Sequence, residues 1–126
     1  MASSVVISGS GLWKPAQSIS NEELVEAYNA YAEQFNQKNQ TAIESGELAP
    51  KPFSSAEFIE KASGIKSRYV YKKEGVLDID RMRPVIPPRN EEQLSDQAEM
   101  AIFAAKDALQ AANKTAADID VVIVSC

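Results

Sequence analysis

Residues 61–73 hold Lys61, Lys66, Arg68, Lys72 and Lys73 and no acidic residue, in a chain whose formal net charge is -5. Positive charge gathered in this way could hold the phosphates of a cofactor or the acidic face of a carrier protein through charge-assisted hydrogen bonds. A solvated basic edge whose lysines discourage strand pairing accounts for the same residues equally well.

Other residues with chemical potential are easier to set aside. Gly9-Ser10-Gly11 follows an apolar run and invites a dinucleotide-binding turn. That motif needs a third glycine where Lys14 stands and a helix where Pro15 stands, so a structural turn is the simpler expectation. Cys126 is the single thiol. It follows an apolar run and the chain contains no histidine to activate it, which makes it a poor nucleophile. Glu22, Glu23, Glu57, Glu60 and Asp78 fall at capping or helix-surface positions and read as solvated carboxylates rather than an acid/base pair.

Composition excludes several function classes. One cysteine and no histidine cannot build a disulfide or the usual Cys/His zinc sets within one copy. The acidic balance opposes general attraction to nucleic acid or anionic membrane, so neither is expected as a partner. The chain has 126 residues, 44% hydrophobic and 25% charged, as in folded globular domains. The start lacks a basic leader pattern and no apolar stretch reaches membrane-spanning length, so the cytoplasm is the expected compartment.

The elements that must position these residues follow from spacing. Val5, Val6 and Ile7 predict a buried strand running into a tight turn at Gly9-Ser10-Gly11, after which Pro15 keeps the chain extended. Ser20 and Glu23 form a capping-box pattern, with Ile19 and Leu24 as a hydrophobic staple, and predict a helix from Asn21 to about Gln37. Leu24, Ala27, Tyr28, Tyr31 and Phe35 mark its buried face, and Glu, Asn and Gln its wet one. A frayed end and loop follow to Pro52. A second capping box at Ser54 and Glu57, stapled by Phe53 and Phe58, starts a helix ending at Gly64. Arg68 to Tyr71 favour a short strand, and Pro84, Pro87 and Pro88 make the connection at about 74–90 irregular.

A long helix is expected from about Glu91 to Ala112, with Leu94, Ala98, Ala101, Ala105, Ala108, Leu109 and Ala112 down one stripe. Its alanines would let a neighbouring element approach closely, and Ile102 and Phe103 suggest enclosure between layers. A turn at Thr115 to Asp118 leads to Val121 to Val124, an apolar run typical of a strand covered on both faces. Two such core strands would leave edges without hydrogen-bonding neighbours, a pattern that reads as the beginning of a longer sheet.

Three stretches in this order resemble the ketoacyl-ACP synthase III family: "VVISGSGLW" at Val5 to Trp13 with Ser20-Asn21-Glu22-Glu23-Leu24, "FIEKASGIKSRYV" at Phe58 to Val70, and the Ala-rich helix and apolar run from Gln97 to Cys126. The resemblance implies an α/β, thiolase-like fold of α-β-α-β-α layers, of which residues 1–126 form only the start of the first half. It implies a cytoplasmic homodimer that takes an acyl group from acyl-CoA onto a cysteine and condenses it with malonyl-ACP, with loss of carbon dioxide and no tightly bound cofactor. The family's catalytic cysteine, histidine and asparagine would lie beyond this chain, which alone would be inactive, and Cys126 is not the match of that cysteine.

The resemblance also places Phe58, Lys61, Lys66 and Arg68 in the acyl-CoA site. Better-known members carry tryptophan at the Phe58 position and arginine at the Ala62 position, flanking the CoA adenine. Phe58 keeps a stacking ring, whereas Ala62 removes a cation; replacement by Lys61 or Lys66, a different adenine pose and a different donor are equally open. Residues at about 28–52, expected to be a helical insertion, and Met82 to Pro88 look inserted relative to short-chain-specific members. That resembles a proteobacterial branch accepting medium-chain acyl-CoA. The alternative is a non-catalytic domain that binds an acyl carrier protein or a partner synthase.

Overall fold

A computed structural model describes residues 4–125, which fall into two compact units, one of them Pro15–Pro87 and the other made of residues 4–14 and 88–125. Each is built around a different helix. Among the described residues, no helix is long and apolar enough to cross a membrane.

In the Pro15–Pro87 unit, strand β1 (Gln17–Ser20) leads directly into helix α1 (Asn21–Lys38), as the capping pattern predicts. Ser20 Oγ accepts the backbone N–H of Glu23 at 3.2 Å, and the Glu23 carboxylate accepts that of Ser20 at 3.0 Å. Each satisfies a donor that the first helical turn would otherwise leave open, a contribution of about 1 kcal/mol for such a cap. Ile19, 1% exposed, and Ala27 and Ala32 are the buried apolar residues.

β1 pairs antiparallel with β2 (Ser67–Val70), in register Gln17↔Val70 and Ser20↔Ser67. The strand expected at Arg68 to Tyr71 is therefore present one residue earlier, and its partner is a strand where only extended chain is expected. Asn21 joins the sheet to the helix. Its N–H donates to Lys66 C=O at 3.0 Å, its amide nitrogen to Ile65 C=O at 2.6 Å, and its amide oxygen accepts from Arg68 Nη2 at 2.8 Å. With 2% exposure, Asn21 is a buried polar side chain whose bonds replace those it would make to water.

A short helix, α2 (Gln40–Glu44), stands in the segment expected to be frayed helix and loop. Helix α3 (Ala56–Ser63) ends as expected at Gly64, whose φ of 72° suits a residue without Cβ. Its start requires a correction. The cap is Ser55, which accepts the Phe58 N–H, rather than Ser54, and Glu57 consequently falls at the second helical position, where it cannot complete a capping box. The 74–90 connection has no regular element, yet Arg83 N–H donates to Gly75 C=O and Val85 N–H to Glu74 C=O, which ties its two arms together.

In the second unit, helix α4 (Asp96–Ala111) begins five residues later than the expected Glu91. Asn90 accepts the N–H groups of Glu92 and Gln93, folding that stretch into a turn, and Ser95 caps the helix at Ala98 N–H. Arg89 secures the junction by donating to Leu94 C=O and pairing with Asp96 and Glu99. The close approach expected of the alanine stripe is present at Ala108 and Ala112, joined by Ala104, which lies outside that stripe. A Cβ added to Gly11 would lie 2.2 Å from Ala104 C=O, and one added to Gly9 would lie 2.7 Å from Ala108 C=O. Leu12 N–H donates to Asp107, and the Trp13 ring stacks on Phe103 with centroids 6.1 Å apart. Residues 9–13 thus run antiparallel along α4. The expected tight turn at Gly9-Ser10-Gly11 is absent, since residues 4–15 form no turn or bend, and the glycines serve close approach instead.

Val5, Val6, Ile7 and Val121 to Val124 are exposed and belong to no ladder among the described residues, which corrects the expectation of two buried core strands. Their sequences favour strands, but a strand needs neighbours for its N–H and C=O groups, and the described residues supply none. Nor is α4 enclosed, for none of its residues is buried and Phe103 remains half-exposed. The turn expected at Thr115 to Asp118 is a 3-10 helix, Ala116–Asp118, with Asp118 accepting the Thr115 N–H. Cys126 lies outside the described residues.

Two outcomes test this account. Gly11→Ala should destabilise the protein by roughly 1–3 kcal/mol, the usual cost of overpacking, measured by denaturant unfolding. Glu23 is held below the usual carboxylate range by the Lys73 ammonium and the Ser20 N–H. A depressed carboxylate contributes stability that is full above its unfolded pKa and is lost as pH falls through its folded one. The melting temperature of Glu23→Gln should therefore lie below that of the parent at neutral pH and converge with it in acid.

Candidate functional site

One concave surface of the Pro15–Pro87 unit is an open groove of about 750 Å³ with a mostly apolar lining. That size falls in the range of small-molecule sites. Leu24, Val25 and Tyr28 of α1 form one wall. Phe58 and Ile59 of α3 form another, the chain from Pro52 to Ser55 closes one side, and Met82 reaches in from the later connection. Met82 has φ 51°, a left-handed conformation held by its N–H bond to Asp78 C=O.

The groove depends on two asparagines of α1. Asn29 donates to Ser54 C=O and accepts Ser54 N–H, and Asn36 does the same with Lys51. Seven helical residues advance about 10.5 Å, and three extended residues about 10 Å, so the two amides meet the 51–54 backbone in register. This corrects the expectation that the Asn-bearing side of α1 is simply wet. Lys51 also places its ammonium 4.6 Å from the Phe35 ring centroid, a cation–π contact.

The shift of the α3 cap to Ser55 has a consequence here. A cap at Ser54 would put Phe53 and Phe58 at the two positions of a hydrophobic staple, whereas a cap at Ser55 gives those positions to Ser54 and Ile59. Phe53 and Phe58 remain 63% and 66% exposed, and both line the groove. In the sequence Phe58 stands out through the family resemblance, whereas Phe53 reads only as a staple. The sequence feature that sets the position of Phe53 is the pair of asparagines seven residues apart, Asn29 and Asn36.

The basic residues go to different places. Lys61 stands on α3 three residues after Phe58, on the neighbouring helix surface, and is exposed. Lys66 pairs with Glu60 at 3.2 Å in a solvent-exposed bridge, which contributes little to stability. Arg68 turns inward to Asn21, and its Nη1 is buried without a hydrogen-bond partner among the described residues. Lys72 lies over the Tyr71 ring at 5.3 Å, and Lys73 pairs with Glu23. Phe58 and Lys61 therefore share a helix beside the groove, while Arg68 serves the junction of β2 and α1. Among the described residues, no group of His, Cys, Asp or Glu could hold a metal ion. The arrangement suits a ligand with a flat or apolar body and an anionic end near Lys61; it presents no acid/base pair of its own.

No protein-family model matches the chain. The chain is 51% identical over 102 residues to the Beta-ketodecanoyl-[acyl-carrier-protein] synthase of Pseudomonas aeruginosa; the match covers 81% of the chain and 29% of that protein. The chain thus spans less than a third of the length of this relative. Over four-fifths of its own length, the sequence is shown to be similar to a beta-ketoacyl-ACP synthase, in agreement with the resemblance its motifs carry.

Proposed function

We propose that this chain forms the acyl-CoA-docking portion of a ketoacyl-ACP synthase III-type condensing enzyme of fatty acid biosynthesis. The observation that carries the proposal is the 51% identity to a beta-ketodecanoyl-ACP synthase. The groove beside Phe58 and Lys61 supports it, because it joins an exposed ring to a cation one helical turn away. In this reading Phe58 stacks on the adenine of CoA and Lys61, with Lys66, faces its phosphates. Arg68, bonded to Asn21, braces the junction of β2 and α1 and is not among the residues that line the groove.

The chemistry follows that of an acyl transfer and a condensation. A cysteine thiolate attacks the thioester carbonyl of acyl-CoA, and CoA leaves as its thiol. Malonyl-ACP then loses carbon dioxide, and the resulting carbanion attacks the acyl-cysteine, forming the new carbon–carbon bond and returning the thiolate. Oxyanion donors stabilise each tetrahedral intermediate. In this reading the histidine and asparagine that assist decarboxylation belong to the part of the enzyme that this chain, matching 29% of its relative, does not span. A beta-ketodecanoyl product has ten carbons, of which the condensation supplies two, so the primer is octanoyl-CoA. The same proposal assigns a thiolase-like layered fold and a cytoplasmic homodimer.

The test is intact mass spectrometry of the native polypeptide, as its gene encodes it, before and after incubation with octanoyl-CoA. A covalent gain of one octanoyl group, discharged on addition of malonyl-ACP, is the expected result. Absence of an adduct and of condensation would overturn the enzyme assignment in favour of a carrier-binding role. Strong preference for acetyl-CoA would overturn the primer length alone.

A further inference from the structure

The two phenylalanines of the groove are held in different ways. Phe58 rides on α3, whose cap and Gly64 terminus fix the helix at both ends. Phe53 belongs to no helix or strand and is not held by burial, since 63% of it is exposed. Its position comes from the polar clamps on either side, Asn36 on Lys51 and Asn29 on Ser54. Four side-chain-to-backbone hydrogen bonds therefore present an aromatic ring at the groove without packing it into a core. Large aromatics that line a concave site while remaining exposed are suited to binding rather than folding.

Position 62 is Ala62, and no charged side chain lines the groove. A flat heteroaromatic group entering it would meet aromatic and aliphatic surface, with Lys61 outside the lining for an attached phosphate. We propose that Phe53 is a second stacking ring, which, opposite the role given to Phe58, holds the adenine of the acyl-CoA between two aromatic side chains. Phe53 is then a specificity-determining residue that makes up for the cation absent at Ala62. This rests on the acyl-CoA assignment above and adds to it a residue outside the stretches that carry the family resemblance.

The test compares octanoyl-CoA with octanoyl-pantetheine, which carries the same thioester without the nucleotide, in the native polypeptide. Base–aromatic stacking is strong enough that Phe53→Ala should raise the KM for octanoyl-CoA roughly tenfold while leaving that for octanoyl-pantetheine within about twofold. Phe53→Trp, which preserves a stacking face, should keep the parental preference for the CoA ester. If Phe53→Ala leaves the octanoyl-CoA KM unchanged, or weakens both thioesters equally, the inference is overturned, the second outcome marking Phe53 as part of the acyl path or of the fold. Phe58→Ala separates this from the broader assignment. A nucleotide-dependent loss in Phe58→Ala but not in Phe53→Ala removes only the second ring, whereas no such loss in either variant removes the groove as the adenine site.

Discussion

Asn21 holds the Pro15–Pro87 unit together. Its backbone N–H and both ends of its amide are spent on Lys66, Ile65 and Arg68, so one side chain ties the first turn of α1 to the chain entering β2. Burying an amide is costly unless its hydrogen bonds are replaced, and here they are. The partners lie more than forty residues away in sequence, so this junction converts a locally capped helix into a tertiary structure. The guanidinium of Arg68 is drawn inside by the same bond. Its chemistry is consequently that of an internal brace rather than of a surface cation.

The groove is the second product of polar side chains acting on backbone. The asparagines of α1 treat the 51–54 segment as a neighbouring strand would, donating and accepting at each contact. The helical rise and the extended rise agree closely enough for both contacts to form. What results is a wall whose backbone is fixed while its side chains remain available. The one-residue displacement of the α3 cap completes the arrangement, because it leaves Phe53 and Phe58 without a structural obligation to each other.

Signals that are complete within a few residues were legible in the sequence. Ser20 and Glu23 announced α1, and Gly64 announced the end of α3, because capping is local chemistry. Strand β1 was not legible, since Gln17 to Ser20 contain one apolar residue and exist as a strand only because β2 lies beside them. The Ser54/Ser55 ambiguity is of another kind. Two adjacent serines satisfy the same pattern, and the choice falls to Asn29, which engages the Ser54 backbone. Asn29 and Asn36 themselves read as solvated, because sequence does not distinguish an amide facing water from one facing a distant peptide. Phe58 and Lys61 were found through family resemblance; Phe53 needed the geometry. The apolar runs at Val5 to Ile7 and Val121 to Val124 state a need for neighbours, which the described residues do not meet.

The seam between residues 9–13 and α4 sets an asymmetric limit on sequence change. Gly9 and Gly11 already have the smallest side, and Ala104, Ala108 and Ala112 face them with helix backbone and, at Ala112, a methyl group. Enlarging either side cannot be offset by shrinking the glycine side, and shrinking the helix to glycine would weaken the helix itself. Variation along this seam is thus confined to a narrow corridor of side-chain volume, and drift in one partner has almost no compensating move in the other.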